Sequence, residues 1–168
     1  MYKRGVITDE ISQDLHEVVE LATRYGLDGI ELRSVWDKNV HELSDASVNE
    51  VLQIAEKAGL EICGISSPVF KCTLGTSEVD EHLDILRRTI EIAKCWQVKI
   101  IRGFCFWKDG ELNQALPEIA KNLKQAGQLV REAGMTLALE SDPHVFTTNG
   151  AQLVEVVRTV DLPKVRVL

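Results

Sequence analysis

The chain has 168 residues, 45% of them hydrophobic and 27% charged, with a net charge of −7 and a pI near 5.1. That length carries one domain, residues 1–168, with a core of its own, and the acidic balance without a Lys/Arg cluster argues against a nucleic-acid partner, because phosphate contacts need grouped cations. No uninterrupted apolar run approaches the roughly 20 residues of a membrane-spanning helix, and no apolar stretch follows the basic residues of MYKRGVITDE, so neither a membrane partner nor a secretory signal is expected.

The first β-rich run is GVITDE (5–10). Leu15, Val18, Val19, Ala22 and Tyr25 follow at helical spacing, and Gly26 sits where a helix turns off through a left-handed residue. The second run is GIELRS (29–34). The helix after it is read from SDAS, with Ser47 and Glu50 at capping-box spacing, and ends at Gly59. EICGIS (61–66) is the third run, followed by the longest loop, SPVFKCTLGTSE (67–78). A third helix carries Leu83, Leu86, Ile90 and Ala93.

KIIRGF (99–104) leads to a fourth helix expected to begin near Pro117, since a first-turn proline lacks only an N–H that would go unpaired. That helix presents Ile119, Leu123, Ala126 and Val130, and Gly134 ends it. TLALES (136–141) is the fifth run. A helix capped by Asn149 follows, then KVRVL (164–168). The runs are continuously apolar, the pattern of a parallel sheet covered on both faces.

The four cysteines, Cys63, Cys72, Cys95 and Cys105, form no CxxC pair and no zinc-finger spacing. Reduced thiols and a cytoplasmic location are the expectation.

About six parallel strands and five helices in βα order suit either an open doubly wound sheet or a (β/α)8 TIM-barrel type, which needs eight units and about 250 residues. KVRVL has no helix behind it, so the chain is read as a partial barrel that stops after its sixth strand. Open strand edges would leave homo-oligomerisation available.

In both architectures chemistry gathers at the C-terminal ends of strands. There the sequence puts Asp9 and Glu10; Glu31 and Arg33; Ser66 and Ser67; Arg102, Cys105 and Trp107; and Glu140, Ser141 and Asp142. Charges in strands need partners or a function, and pairing of Glu31 or Glu140 with Arg33 or Arg102 would serve as structure alone. Glu140, abruptly following Leu137–Leu139, is the candidate catalytic carboxylate. Glu31, Arg33, His41, Ser67, Arg102 and Trp107 are candidate substrate contacts. His144 reads as a loop histidine, and His16 and His82 as residues on solvated helix faces. No phosphate-cradling glycine loop, GxSxG elbow or HExxH is present.

The ordered motifs YGLDGIELR, GLEICGISSP and GMTLALES resemble the xylose isomerase-like TIM barrels, the sugar phosphate isomerase/epimerase group, over essentially the whole chain. The resemblance implies a divalent metal (Mn, Mg or Zn) at the barrel mouth, with Glu140 at the ligand position on the fifth strand. The remaining ligand positions have no counterpart in this sequence. It also implies a metal-dependent isomerase or epimerase acting through an enediolate on a sugar, sugar phosphate or related polyol, a small carbohydrate-like substrate. A dehydratase or lyase of the inosose or dehydroshikimate type on the same barrel, and a non-catalytic α/β binding module, are the alternatives. The related apurinic endonuclease activity fits the acidic charge poorly.

Overall fold

In the computed structural model, which describes residues 2–168, each β-rich run becomes a strand. In chain order these are β1 (Gly5–Ile7), β2 (Gly29–Leu32), a short hairpin of β3 (Ser34–Val35) and β4 (Lys38–Asn39), then β5 (Glu61–Ser66), β6 (Ile100–Gly103), β7 (Thr136–Leu139) and β8 (Val165–Val167). The helices are α1 (Leu15–Arg24), α2 (Asp45–Lys57), α3 (Glu78–Cys95), α4 (Leu112–Glu132) and α5 (Gly150–Val160).

Six strands form one parallel sheet in the order β1-β2-β5-β6-β7-β8, so every neighbour is reached through one helix. Such crossovers are right-handed almost without exception, which puts all the helices on one face. Each helix packs on the next, α1 on α2 through α4 on α5. Among the described residues the sheet is not closed, and β1 and β8 are its two ends: a partial TIM barrel.

Strand alternation sorts the side chains. Ile30, Ile65, Ile101, Leu137 and Val165 point to the helices and are fully buried against Leu15, Val51, Leu86, Leu123 and Val156. Each such side chain contributes about 1.5–3 kcal/mol of transfer free energy. Gly26, Gly59 and Gly134 stop their helices at φ near +63°, +69° and +70°, the left-handed geometry that glycine takes without steric cost. Among the described residues no helix is long and apolar enough to cross a membrane.

Three expectations need correction. Helices cover only one face of the sheet; the other is hollow and leaves Cys63 and Ile100 exposed. The fourth helix begins at Leu112, so Pro117 lies in its second turn, where its missing N–H forgoes only one early helical hydrogen bond. The second helix is capped by Ser44, whose hydroxyl accepts from Ser47 N–H, and not by Ser47 with Glu50.

Candidate functional site at the strand C-termini

The hollow face carries a belt of polar side chains across four adjacent strands. It begins with an irregularity. Gly29 and Ile30 of β2 pair with Glu61 and Ile62, but Glu31 pairs with Gly64, so Cys63 is bulged out of register. The bulge turns Gly64 and Ser66 to the hollow side, opposite Glu31. A Cβ on Gly64 would lie 3.4 Å from Glu31 Cγ and Cδ, so the glycine leaves the room that the carboxylate occupies. Ser66 Oγ donates to Glu31 Oε1.

Ser66 pairs in register with Arg102 of β6, and Arg102 with Ala138 of β7. Two residues past Ala138 the same face is taken by Glu140, directly after the strand. Arg102 Nη1 donates to Glu140 Oε2 at 2.9 Å. The arginine side chain is 9% exposed and the glutamate 37%, so the carboxylate faces the opening and the guanidinium lies beneath it. Arg102 Nε is buried without a partner among the described residues, and its Cζ stands 4.8 Å from the centre of the Phe104 ring.

Lys71 reaches the same ring from the β5–α3 loop, with Nζ 4.2 Å from the Phe104 centre and 5.7 Å from that of Trp107. It donates to Asp142 Oδ2 at 2.9 Å. With the Lys71 hydrogen bond as the main cause and the His144 backbone N–H next, the Asp142 carboxyl is pulled down to about 2. The sequence places Asp142 at a strand end but gives no sign of Lys71 or Phe104, because Lys71 and Asp142 meet only across two loops.

Main-chain hydrogen bonds fasten these loops together. Phe104, Phe106 and Trp107 N–H donate to the carbonyls of Val69, Phe70 and Cys72 at 2.8–2.9 Å. Phe146 N–H donates to Phe106 O at 3.1 Å, and Lys108 N–H to His144 O at 2.8 Å. Phe70 and Phe106, both fully buried, adopt φ of +63° and +55°, and their rings sit 4.7 Å apart. Bulky residues seldom accept that backbone region.

The other candidates are scattered around this belt. Arg33 is not part of it: its Nε bonds both oxygens of Asp9 at 2.8–2.9 Å and its Nη2 bonds Glu10 at 2.6 Å, tying β2 to the turn after β1. Ser67 is buried and donates to the Arg102 carbonyl at 2.7 Å, a contact that shapes the loop. Trp107 is 37% exposed and borders the opening beside Lys71. His41 lies in the turn Val40–Glu42, half-buried, with Nδ1 unpartnered among the described residues. His82 departs from expectation: it is on a helix but not solvated, and its Nδ1 accepts the Phe70 N–H at 2.9 Å.

The family model for "Xylose isomerase-like TIM barrel" matches residues 19–168. The chain belongs to that family. No curated protein matches it. Among solved structures, the probable 3-DHS dehydratase AsbF involved in petrobactin synthesis from Bacillus anthracis aligns with 99% of the chain at 19% identity and TM-score 0.78. D-psicose 3-epimerase in the presence of D-fructose aligns with 99% at 17% identity and TM-score 0.75. IOLI protein with a bound zinc atom aligns with 99% at 21% identity and TM-score 0.79. The chain spans 62% of the length of each of these three proteins, so at these identities the likeness shows the fold.

A divalent metal, implied by the family, can be tested against the donors present. Among the described residues no group of three or more His, Cys, Asp or Glu side chains could hold a metal ion. Glu140 is engaged by Arg102 and Glu31 by Ser66. Hard cations take about six oxygens, so these residues do not by themselves make a metal site.

Proposed function

We propose that the belt Glu31–Ser66–Arg102–Glu140 serves an isomerase or epimerase acting on a sugar, sugar phosphate or related polyol. The observation that carries this reading is the open-facing Glu140 carboxylate, backed by a buried guanidinium on a face the helices leave free. Arg102 pairs with one oxygen of that carboxylate and holds it at the opening, where a general base must meet its substrate.

In this reading Glu140 takes the proton from the carbon beside the substrate carbonyl. The electron pair moves onto the carbonyl oxygen, giving an enediolate. Arg102, with N–H groups left over from its single bond to Glu140, stabilises that developing charge. Return of the proton to the neighbouring carbon, with the enediolate's hydroxyl proton passing from one oxygen to the other, isomerises, and its return to the other face of the same carbon epimerises. Glu31 and Ser66 accept and donate to substrate hydroxyls, and Trp107 offers an apolar wall to a sugar face. A divalent metal would need donors beyond Glu31 and Glu140. Proton removal followed by loss of the adjacent hydroxyl would make the same site a dehydratase; the product distinguishes the two.

The test is proton exchange. With a ketohexose such as D-fructose in D2O, the chain should wash out the hydrogen beside the carbonyl. Glu140→Gln should slow that by about 100-fold or more, the usual reach of general-base catalysis. Unchanged exchange in Glu140→Gln would remove Glu140 from the mechanism.

A further inference from the structure

His82 occupies a place that no part of the proton-transfer reading uses. It projects from the second turn of α3 beneath the β5–α3 loop, and its Nδ1 accepts the N–H of Phe70 at 2.9 Å. An imidazole nitrogen that accepts from a backbone amide cannot carry a proton. Charging the ring to imidazolium therefore removes this acceptor and leaves two donors facing each other.

The amide held in this way is unusual. Phe70 is fully buried at φ +63°, a backbone state that is costly for a bulky residue and persists only when its surroundings fix it. Its own N–H is fixed by His82, and its carbonyl accepts from Phe106 N–H at 2.8 Å. On either side, Val69 O and Cys72 O receive Phe104 and Trp107. The residue after Phe70 is Lys71, the cation that bridges Phe104 and Asp142. One imidazole thus anchors the strained residue through which the β5–α3 loop is joined to the opening.

We propose that neutral His82 is the positioning residue of this opening, holding residues 68–72 in place through the Phe70 amide, and that its protonation releases them. The groups facing His82 come from each element packed around it. Glu78 and Glu81 lie on its own helix, Glu78 already accepting from Thr73 N–H at 2.7 Å. The Pro68 carbonyl comes from the loop, and His41, with Glu42 beside it, from the Val40–Glu42 turn. Burial, the largest influence, holds both His82 and His41 below the ordinary histidine range, against the raising effects of Glu78 and Glu42 respectively. A charge on His41 would further oppose one on His82. The ring is therefore neutral at physiological pH, and the loop opens only in acid. This inference does not depend on the reaction assigned to Glu140.

The test is amide hydrogen exchange of the 168-residue chain between pH 7.5 and 5, corrected for intrinsic rates, with the His82 ring nitrogens followed by NMR. Protection at Phe70, Phe104, Phe106 and Trp107 should fall together by about tenfold or more as His82 acquires its proton, the cost of an unmade buried hydrogen bond. His82→Asn, whose side-chain oxygen can take the Nδ1 position but does not titrate in this range, should keep the protection and abolish its pH dependence. His82→Leu should lose it at every pH while Ile101 and Leu137 stay protected. Protection that survives His82 protonation, or an acid loss unchanged in His82→Asn, would overturn the proposal.

Discussion

Arg102 lies under Glu140: its Nη1 donates to Glu140 Oε2 at 2.9 Å, while its Nε stays buried without a partner among the described residues. The pair is lopsided, one member desolvated and the other facing the opening. Removing the glutamate charge strands a buried guanidinium, whereas removing the arginine frees a carboxylate that water can reach. Glu140→Gln and Arg102→Met should each destabilise the chain by about 1–3 kcal/mol, with Glu140→Gln at the larger end. Urea unfolding at pH 7 measures both, and equal or absent losses would contradict this asymmetry.

Asp142 should make the chain sensitive to strong acid. Its carboxyl titrates at about 2 when folded, against 3.8 for the free side chain. Above 3.8 it is ionised in both states and its full contribution is present. As the pH falls from 3.8 to 2, the unfolded chain binds a proton that the folded chain does not, and on the order of 2 kcal/mol is lost. Lys71→Met should raise the Asp142 titration towards the ordinary value and cost about 1 kcal/mol at pH 7. A carboxyl-carbon NMR titration together with denaturation at pH 7 checks both.

Two glycines should separate space for a side chain from space for the backbone. A Cβ on Gly29 would come within 2.7 Å of the Glu61 carbonyl oxygen, which belongs to a paired strand and cannot turn aside. Gly29→Ala should cost about 2 kcal/mol or more. A Cβ on Gly64 meets only the Glu31 side chain at 3.4 Å. Gly64→Ala should cost under about 1 kcal/mol while displacing Glu31 from Ser66. Thermal melts rank the two, and a crystal structure of Gly64→Ala locates the carboxylate.

The thiols should divide by burial. Desolvation pushes Cys72 and Cys105 up to about 12, so almost no thiolate forms at pH 8, whereas Cys63 and Cys95 are exposed. Burial also raises Cys63, which should therefore react more slowly than Cys95. Iodoacetamide at pH 8 followed by peptide mapping should find Cys95 labelled first, Cys63 next, and Cys72 and Cys105 only after unfolding.

The strands and helices were readable because each depends on local rules: apolar runs, helical spacing, and glycine where φ must be positive. Their limits shifted where two rules competed. Pro117 suggests a helix start, yet Glu111 precedes the first helical residue and the proline is absorbed a turn later. Glu140, Glu31 and Arg102 could be placed at strand ends because strand order alone puts them there. Their partners could not all be assigned, because partner choice depends on register. The bulge at Cys63 gives Glu31 to Ser66 and leaves Arg33 to Asp9 and Glu10. Gly64 inside EICGIS carried a signal of that bulge, since a glycine within a strand often marks one. Lys71 with Asp142 and His82 with Phe70 had no such signal, because loop conformation alone brings each pair together.

The amide-to-carbonyl stitching of segments 69–72, 104–107 and 144–146 has an evolutionary consequence. Because the rim is fastened largely through the main chain, a side chain that borders the opening, such as Trp107, can be exchanged without redrawing its outline. New specificities can then arise by recolouring a fixed frame, one residue at a time, rather than by reshaping the loops.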